Sequence, residues 1–194
     1  ININPKNDGE VNLSCNIHII DRELLIDRVT KAALAGGVSF ERDIIIPEID
    51  TLNVQGYEFD GYCARIIGMK SYFDENMKLL EDANLDALFS GNPVYTKIRD
   101  DNPTRYKGNA KADNVLVADG CIIEGTVENS ILFRGVKVAP GAVVKNCILM
   151  QDTEIESGAS VEYVITDKKV TVSADKELKG TDTFPVFIAK RKQV

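Results

Sequence analysis

Histidine occurs once in these 194 residues, at His18, and the four cysteines (Cys15, Cys63, Cys121, Cys147) stand far apart with no CxxC pair. Zinc sites need Cys and His clustered at short spacing, so no metal centre is expected. Disulfide-dense secreted domains are shorter and richer in cysteine, so four reduced thiols in a cytoplasmic protein are expected. Basic charge is in short supply as well. The 23 Lys and Arg face 30 Asp and Glu, a net charge of −7, which argues against nucleic acid as a partner. No apolar run approaches the roughly 18–20 residues of a membrane-spanning helix, and no signal peptide opens the chain. Neither a membrane nor a secretory route is expected.

What is present falls into two rhythms. Residues 1–91 read as mixed α/β. Asp21 is placed to cap a helix through Ala35, with Leu24, Leu25, Val29 and Ala32 at helical spacing and Gly36-Gly37 to end it. The β-branched run Ile44-Ile45-Ile46 before Pro47 predicts a short buried strand, and CNIHII around His18 also reads as strand-like. Ser71, with Asp74 three residues on, predicts a capping box opening a second helix through Tyr72, Met77 and Leu80. Residues 92–110 carry Pro93, Pro103 and Gly108 without apolar periodicity, which predicts a linker between domains.

From 111 to 194 the sequence repeats. VENSILFRGVKV, VKNCILMQDTEI and VEYVITDKKVTV align without gaps at a spacing of 17 residues, so that Val127, Val144 and Val161 coincide, as do Val138, Ile155 and Val172. A weaker copy, ADNVLVADGCII, begins at Ala112. A fixed period of this size means stacked units, each burying its apolar face against its neighbours. Three short strands per coil fit it, as in a parallel β-helix of the hexapeptide-repeat type. Asn129 and Asn146 share one repeat position, where stacked amides can form a hydrogen-bonded ladder. Leu132, Phe133, Leu149 and Met150 form pairs of which one member is expected to point inward and the other outward, leaving an apolar stripe suited to self-association.

The segments IIIPEI, GYEFDGYCARIIGMKSYFDENMKLL and NPVYTK, followed by coils with GCIIEG, ENSILF and KNCILM, resemble the C-terminal part of glucose-1-phosphate adenylyltransferase (ADP-glucose pyrophosphorylase). The resemblance runs from about Asn12 to Val194. It implies an α/β remnant of a Rossmann-like nucleotidyltransferase domain followed by a left-handed parallel β-helix. The family's Gly-rich nucleotide loop, GGxGTxL, has no counterpart here, so the chain reads as a fragment expected to be inactive by itself.

The resemblance also places a sugar-phosphate pocket on named residues. SCNIHII keeps Ser14 where the family has a pocket serine and puts His18 at its tyrosine position; SFERDIIIP keeps Phe40 but has Ser39 for an aspartate. GYCARIIG puts Cys63 at the family's tryptophan and Arg65 at the aspartate that helps hold magnesium. A guanidinium repels Mg²⁺, although it could bind a phosphate, so this pocket reads as vestigial, with no cofactor of its own. The pattern is similar to the non-catalytic, regulatory-type subunit of bacterial glycogen synthesis, with a catalytic adenylyltransferase subunit and further copies of itself as partners. Arg99, Arg105, Lys107 and Lys168 are candidates for an anion site that would take a sugar-phosphate effector. Two other functions are open. One is a working adenylyltransferase making ADP-glucose and pyrophosphate from ATP and glucose 1-phosphate. The other, a hexapeptide acyltransferase, is disfavoured because the coils from Ala112 to Val172 contain no histidine to serve as general base.

Overall fold

A computed structural model describes residues 14–91, 94–96 and 98–194; residues 1–13 and, in the expected linker, Asn92, Pro93 and Lys97 lie outside the described residues. The chain divides into two compact units, one ending at Asp60 and one running from Gly61 to Val194.

In the first unit, α1 spans Arg22–Leu34. Asp21 caps it as expected, its Oδ1 accepting from the N–H groups of Glu23 and Leu24 at 3.0 and 3.1 Å. Ala35 is the C-cap and Gly36, at φ +79°, turns the chain out of the helix, a left-handed conformation glycine adopts without penalty. The expected strand at Ile44–Ile46 is not formed. Residues Glu41–Ile45 instead make a short π-helix with Ile44 buried. The β-branched preference loses to capping: the Asp43 carboxylate accepts the N–H groups of Val38 and Ser39 at 2.7 and 2.8 Å, which fixes a helical turn over these residues. Nor is there a strand over CNIHII; among the described residues the first unit contains no strand.

The second unit carries helices α2 (Met69–Met77) and α3 (Asp82–Phe89), joined by a 3-10 turn at Lys78–Leu80. Ser71 does not open α2 as its N-cap. Gly68 does, and Ser71 sits in the first turn with its Oγ accepting from the N–H groups of Ile67 and Gly68 at 2.9 and 3.0 Å. Thirteen strands follow: β1 (Arg105–Tyr106), β2 (Lys111–Val117), β3 (Ile122–Ile123), β4 (Thr126–Leu132), β5 (Lys137–Val138), β6 (Val143–Lys145), β7 (Ile148–Leu149), β8 (Glu154–Ile155), β9 (Ser160–Glu162), β10 (Val164–Thr166), β11 (Thr171–Val172), β12 (Glu177–Lys179) and β13 (Val186–Ile188).

Every strand pairing is parallel. One face runs β1-β3-β5-β8-β11. The long strands β2 and β4 bend around a corner and supply two further faces, one continued by β6, β9 and β12 and the other by β7, β10 and β13. This is a three-sided parallel β-helix, and its register is the repeat alignment: Val127 lies on Val144 and Val144 on Val161, while Ala112 of the weaker copy lies on Val127.

Apolar columns fill the interior, with Val127, Val144 and Val161, Leu132 and Leu149, and Val138, Ile155 and Val172 all buried. The buried polar residues Ser130, Thr153 and Thr166 are satisfied: Ser130 Oγ donates to the Glu128 carbonyl and accepts from the Cys147 N–H, and the Thr153 and Thr166 hydroxyls lie 2.9 Å apart. Burial pushes the Cys147 thiol up to about 12.

The first coil is short. Ile123 pairs with Val138, 15 residues on, whereas Val127 pairs with Val144, 17 residues on. The two residues are saved at the Glu124-Gly125 corner, where a Cβ on Gly125 would run into the carbonyl oxygens of Ala142 and Ala139, the latter 2.8 Å away. At the opposite corner Asn114, Asn129 and Asn146 occupy one column with φ of 49°, 43° and 51°. Asn114 Nδ2 donates to Asn129 Oδ1 at 2.9 Å, whereas among the described residues no side-chain bond joins Asn129 to Asn146, the pair expected to form the ladder. Another column begins with Asp113 on Glu128 and alternates in charge from there: Glu128, Lys145, Glu162 and Lys179 stack in register, with Lys145 2.8 Å from Glu128 and Lys179 2.7 Å from Glu162.

The apolar stripe is not an open surface. Of each pair one member is buried, Leu132 and Leu149, while Phe133 and Met150 are partly buried, and the neighbouring column Ile131, Ile148 and Ile165 is buried too. Ile148 and Ile165 are covered by Phe73, with Tyr72 and Met77 of the same helix and Phe133 beside them. Self-association therefore loses the stripe as its support. The same contact explains why the compact units part after Asp60 and not within 92–110: the second helix, placed by its sequence with the α/β part, uses its apolar face on the coils.

Candidate functional site

The pocket positions of the first unit gather around the π-helix. The His18 ring lies 5.0 Å from that of Phe40, tilted by 44°, and its Nε2 stands 3.7 Å from Glu41 Oε1. Ser39, where the resemblance puts an aspartate, is occupied with its own backbone: its Oγ accepts from the Arg42 N–H at 3.3 Å and its N–H donates to Asp43. Ser14 Oγ accepts the Asn16 N–H at 3.1 Å in a local turn. His18, Ser39 and Phe40 are thus brought together, and a capping network anchors them.

Asp43 is the residue that sequence reasoning missed here. The Arg42 guanidinium, then the N–H groups of Ser39 and Val38, hold its carboxyl well below the usual carboxylate range. A carboxyl with a depressed native pKa lends stability above its unfolded value and loses it as pH falls through the native one. Acid titration is therefore expected to melt residues 38–46 locally below about pH 4, ahead of the coils. Backbone amide shifts would follow it, and Asp43→Asn should show the melted pattern already at neutral pH. Residues 38–46 unchanged in that variant would contradict the assignment.

In the second unit Cys63 and Arg65 lie on an exposed extended segment, and among the described residues Arg65 makes no ion pair. This segment is fixed at both ends to α2. Tyr62 Oη donates to Glu75 Oε2 at 2.9 Å, and Ser71 holds the N–H groups of Ile67 and Gly68. The magnesium that the family implies does not fit: the expected carboxylate is the Arg65 guanidinium, and no group of three or more His, Cys, Asp or Glu stands together among the described residues.

The four candidate anion ligands are spread out. Arg99 is paired with Asp101 at 3.2 Å and Lys107 faces Glu124 at 3.8 Å. Arg105 is exposed on β1, ahead of the first coil, and Lys168 follows β10 several coils away. Lys168 has other company, which the sequence signalled only by its final KRK. The β10–β13 register continues past Ile188, and the Arg191 N–H donates to the Lys168 carbonyl at 3.0 Å. Lys190 and Arg191 thereby stack on Lys168 and Lys169, with Lys192 beside them, about 4.8 Å apart as adjacent strands are. All five side chains are exposed, and among the described residues none is in an ion pair.

Residues 97–183 match the family model described as GlmU-like, C-terminal hexapeptide. The glycogen biosynthesis protein GlgD of Bacillus subtilis (strain 168) is 36% identical over 184 residues, 94% of this chain and 52% of that protein. GlgD of Geobacillus stearothermophilus is 47% identical over 70 residues, covering 36% and 20%. Glucose-1-phosphate adenylyltransferase of Clostridium perfringens (strain SM101 / Type A) is 31% identical over 163 residues, covering 78% and 40%. The chain is a homologue of GlgD and of glucose-1-phosphate adenylyltransferases. It spans about half the length of the Bacillus subtilis GlgD that it matches. The coils are accordingly a left-handed β-helix of hexapeptide type, and the helical part before them is small. Among the described residues no helix is long and apolar enough to cross a membrane.

Proposed function

We propose that the protein carrying this chain is a regulatory, non-catalytic subunit of glucose-1-phosphate adenylyltransferase in glycogen biosynthesis, which modulates a catalytic partner subunit. Arg65 carries this reading: an exposed cation stands where the family's chemistry needs a carboxylate for magnesium. Ser39, committed to a helical turn, and Cys63 in place of a tryptophan support it, as does the long alignment with GlgD. The effector would be a sugar phosphate, and its site on this chain is the basic corner of Lys168, Lys169, Lys190, Arg191 and Lys192, where several donors can converge on one phosphate. An active adenylyltransferase is the second reading, favoured by the Clostridium relative.

The test is an assay of the full-length protein alone and with a catalytic adenylyltransferase subunit. No ADP-glucose is expected from the protein alone, and the catalytic subunit's response to added sugar phosphates should change when the two are combined. Lys190→Glu with Arg191→Glu should weaken that response about tenfold or more, since each charge-assisted bond to phosphate contributes about 1.5–3 kcal/mol. Turnover by the protein alone would sink the regulatory reading. An unaltered response in the double variant would remove the effector site.

A further inference from the structure

Tyr163 stands out in the corner column it shares with Asn114, Asn129 and Asn146. Its φ is +52°, and its register partner one coil earlier is Asn146. Asparagine tolerates the left-handed region because its short side chain can bond locally; a bulky aromatic residue there is an outlier. Such strain persists only where surrounding contacts hold it. The contact here is Phe73 of α2, 4% exposed, whose ring centroid lies 6.1 Å from that of Tyr163 at 50°. Phe73 also covers Ile148 and Ile165, the outward residues of the third and fourth coils.

α2 in turn secures the segment before it. Tyr62 is bonded to Glu75 and the N–H groups of Ile67 and Gly68 to Ser71, so the stretch containing Cys63 and Arg65 is stapled to the helix at both ends. We propose that Tyr163 is a latch: the fourth coil accepts a strained backbone in order to hold Phe73, and through α2 it fixes the position of residues 62–67. Two chemically unlike parts of the molecule, the loop bearing Arg65 and the coil bearing Lys168, are thereby joined mechanically. This inference stands whether or not the chain is regulatory.

Native-state hydrogen exchange on the chain tests it. Tyr163→Asn installs the residue that this column otherwise carries, so the coils should fold unimpaired while the latch is lost. Exchange across residues 62–78 is expected to accelerate about tenfold, with protection of residues 126–172 unchanged. Phe73→Ala should give the same local acceleration, and Phe73→Leu, which keeps a large apolar side chain, should give much less. Unchanged exchange at 62–78 in Tyr163→Asn would overturn the proposal, as would a loss of protection spread through all the coils or confined to the fourth.

Discussion

Gly125→Ala is expected to cost the coils about 3 kcal/mol, a fall of roughly 10 °C in thermal midpoint. The reason is contact and not backbone conformation. The short first coil turns its corner at Glu124-Gly125, and an added methyl would be driven into the carbonyl oxygens of Ala142 and Ala139 of the next coil. Carbonyls in a parallel stack cannot move alone, because neighbouring N–H groups hold them: the Ala142 carbonyl accepts the Thr126 N–H at 2.9 Å. Relief would need the coils to part locally. Gly91→Ala is the control, since a Cβ there meets nothing within 4 Å. Equal falls for the two variants in circular-dichroism melts would refute the steric account.

Leu149→Ala should cost a similar amount, about 3 kcal/mol, by another route. Leu149 is fully buried on the inner side of β7, between Leu132 of the coil before and Thr166 of the coil after. Removing its branch leaves a cavity that the stack cannot close, because each coil is held at hydrogen-bonding distance from the next. A urea titration should show a lower midpoint with an unchanged slope. Ile122→Ala, on the half-exposed outer face of β3, should cost less than 1 kcal/mol. A Leu149→Ala midpoint within error of the parent chain would mean that the core is not packed as described.

The coils could be read from the sequence because their order is one-dimensional. A 17-residue period fixes which residue lies on which, so Val127, Val144 and Val161 were aligned by the sequence as they are stacked in space. The first helix was legible for a related reason: its Asp21 cap and its Gly36 exit are local signals. Ile44–Ile46 were not, because their β-branched side chains favour a strand and the deciding interaction is the Asp43 carboxylate on backbone N–H groups upstream. Alternation along a strand could not tell whether Ile131 or Phe133 would flank the inward Leu132, nor that Phe73 from a distant helix would cover that column. The candidate anion site suffered most. Arg99, Arg105 and Lys107 are adjacent in sequence to one end of the stack, whereas the cations that gather around Lys168 come from a turn one coil on, a neighbourhood created by folding alone.

A protein built of near-identical repeats risks skipping one, since any coil can stack on any other through the same apolar columns. The alternation of Glu128, Lys145, Glu162 and Lys179 bears on that error. If the coil of Lys145 were looped out, Glu128 would lie on Glu162; if the coil of Glu162 were, Lys145 would lie on Lys179. Each correct pair is worth only a few tenths of a kcal/mol on an exposed face. Each wrong one replaces an attraction with a repulsion, so the difference between the two counts roughly doubles. Between Glu128 and Lys179 only the loss of two coils together would restore the pattern; before Glu128 the rule does not hold, because Asp113 already lies on Glu128. From Glu128 to Lys179 the column thus works as a parity check on assembly, and its sign rule there distinguishes the intended stack from one with a coil skipped.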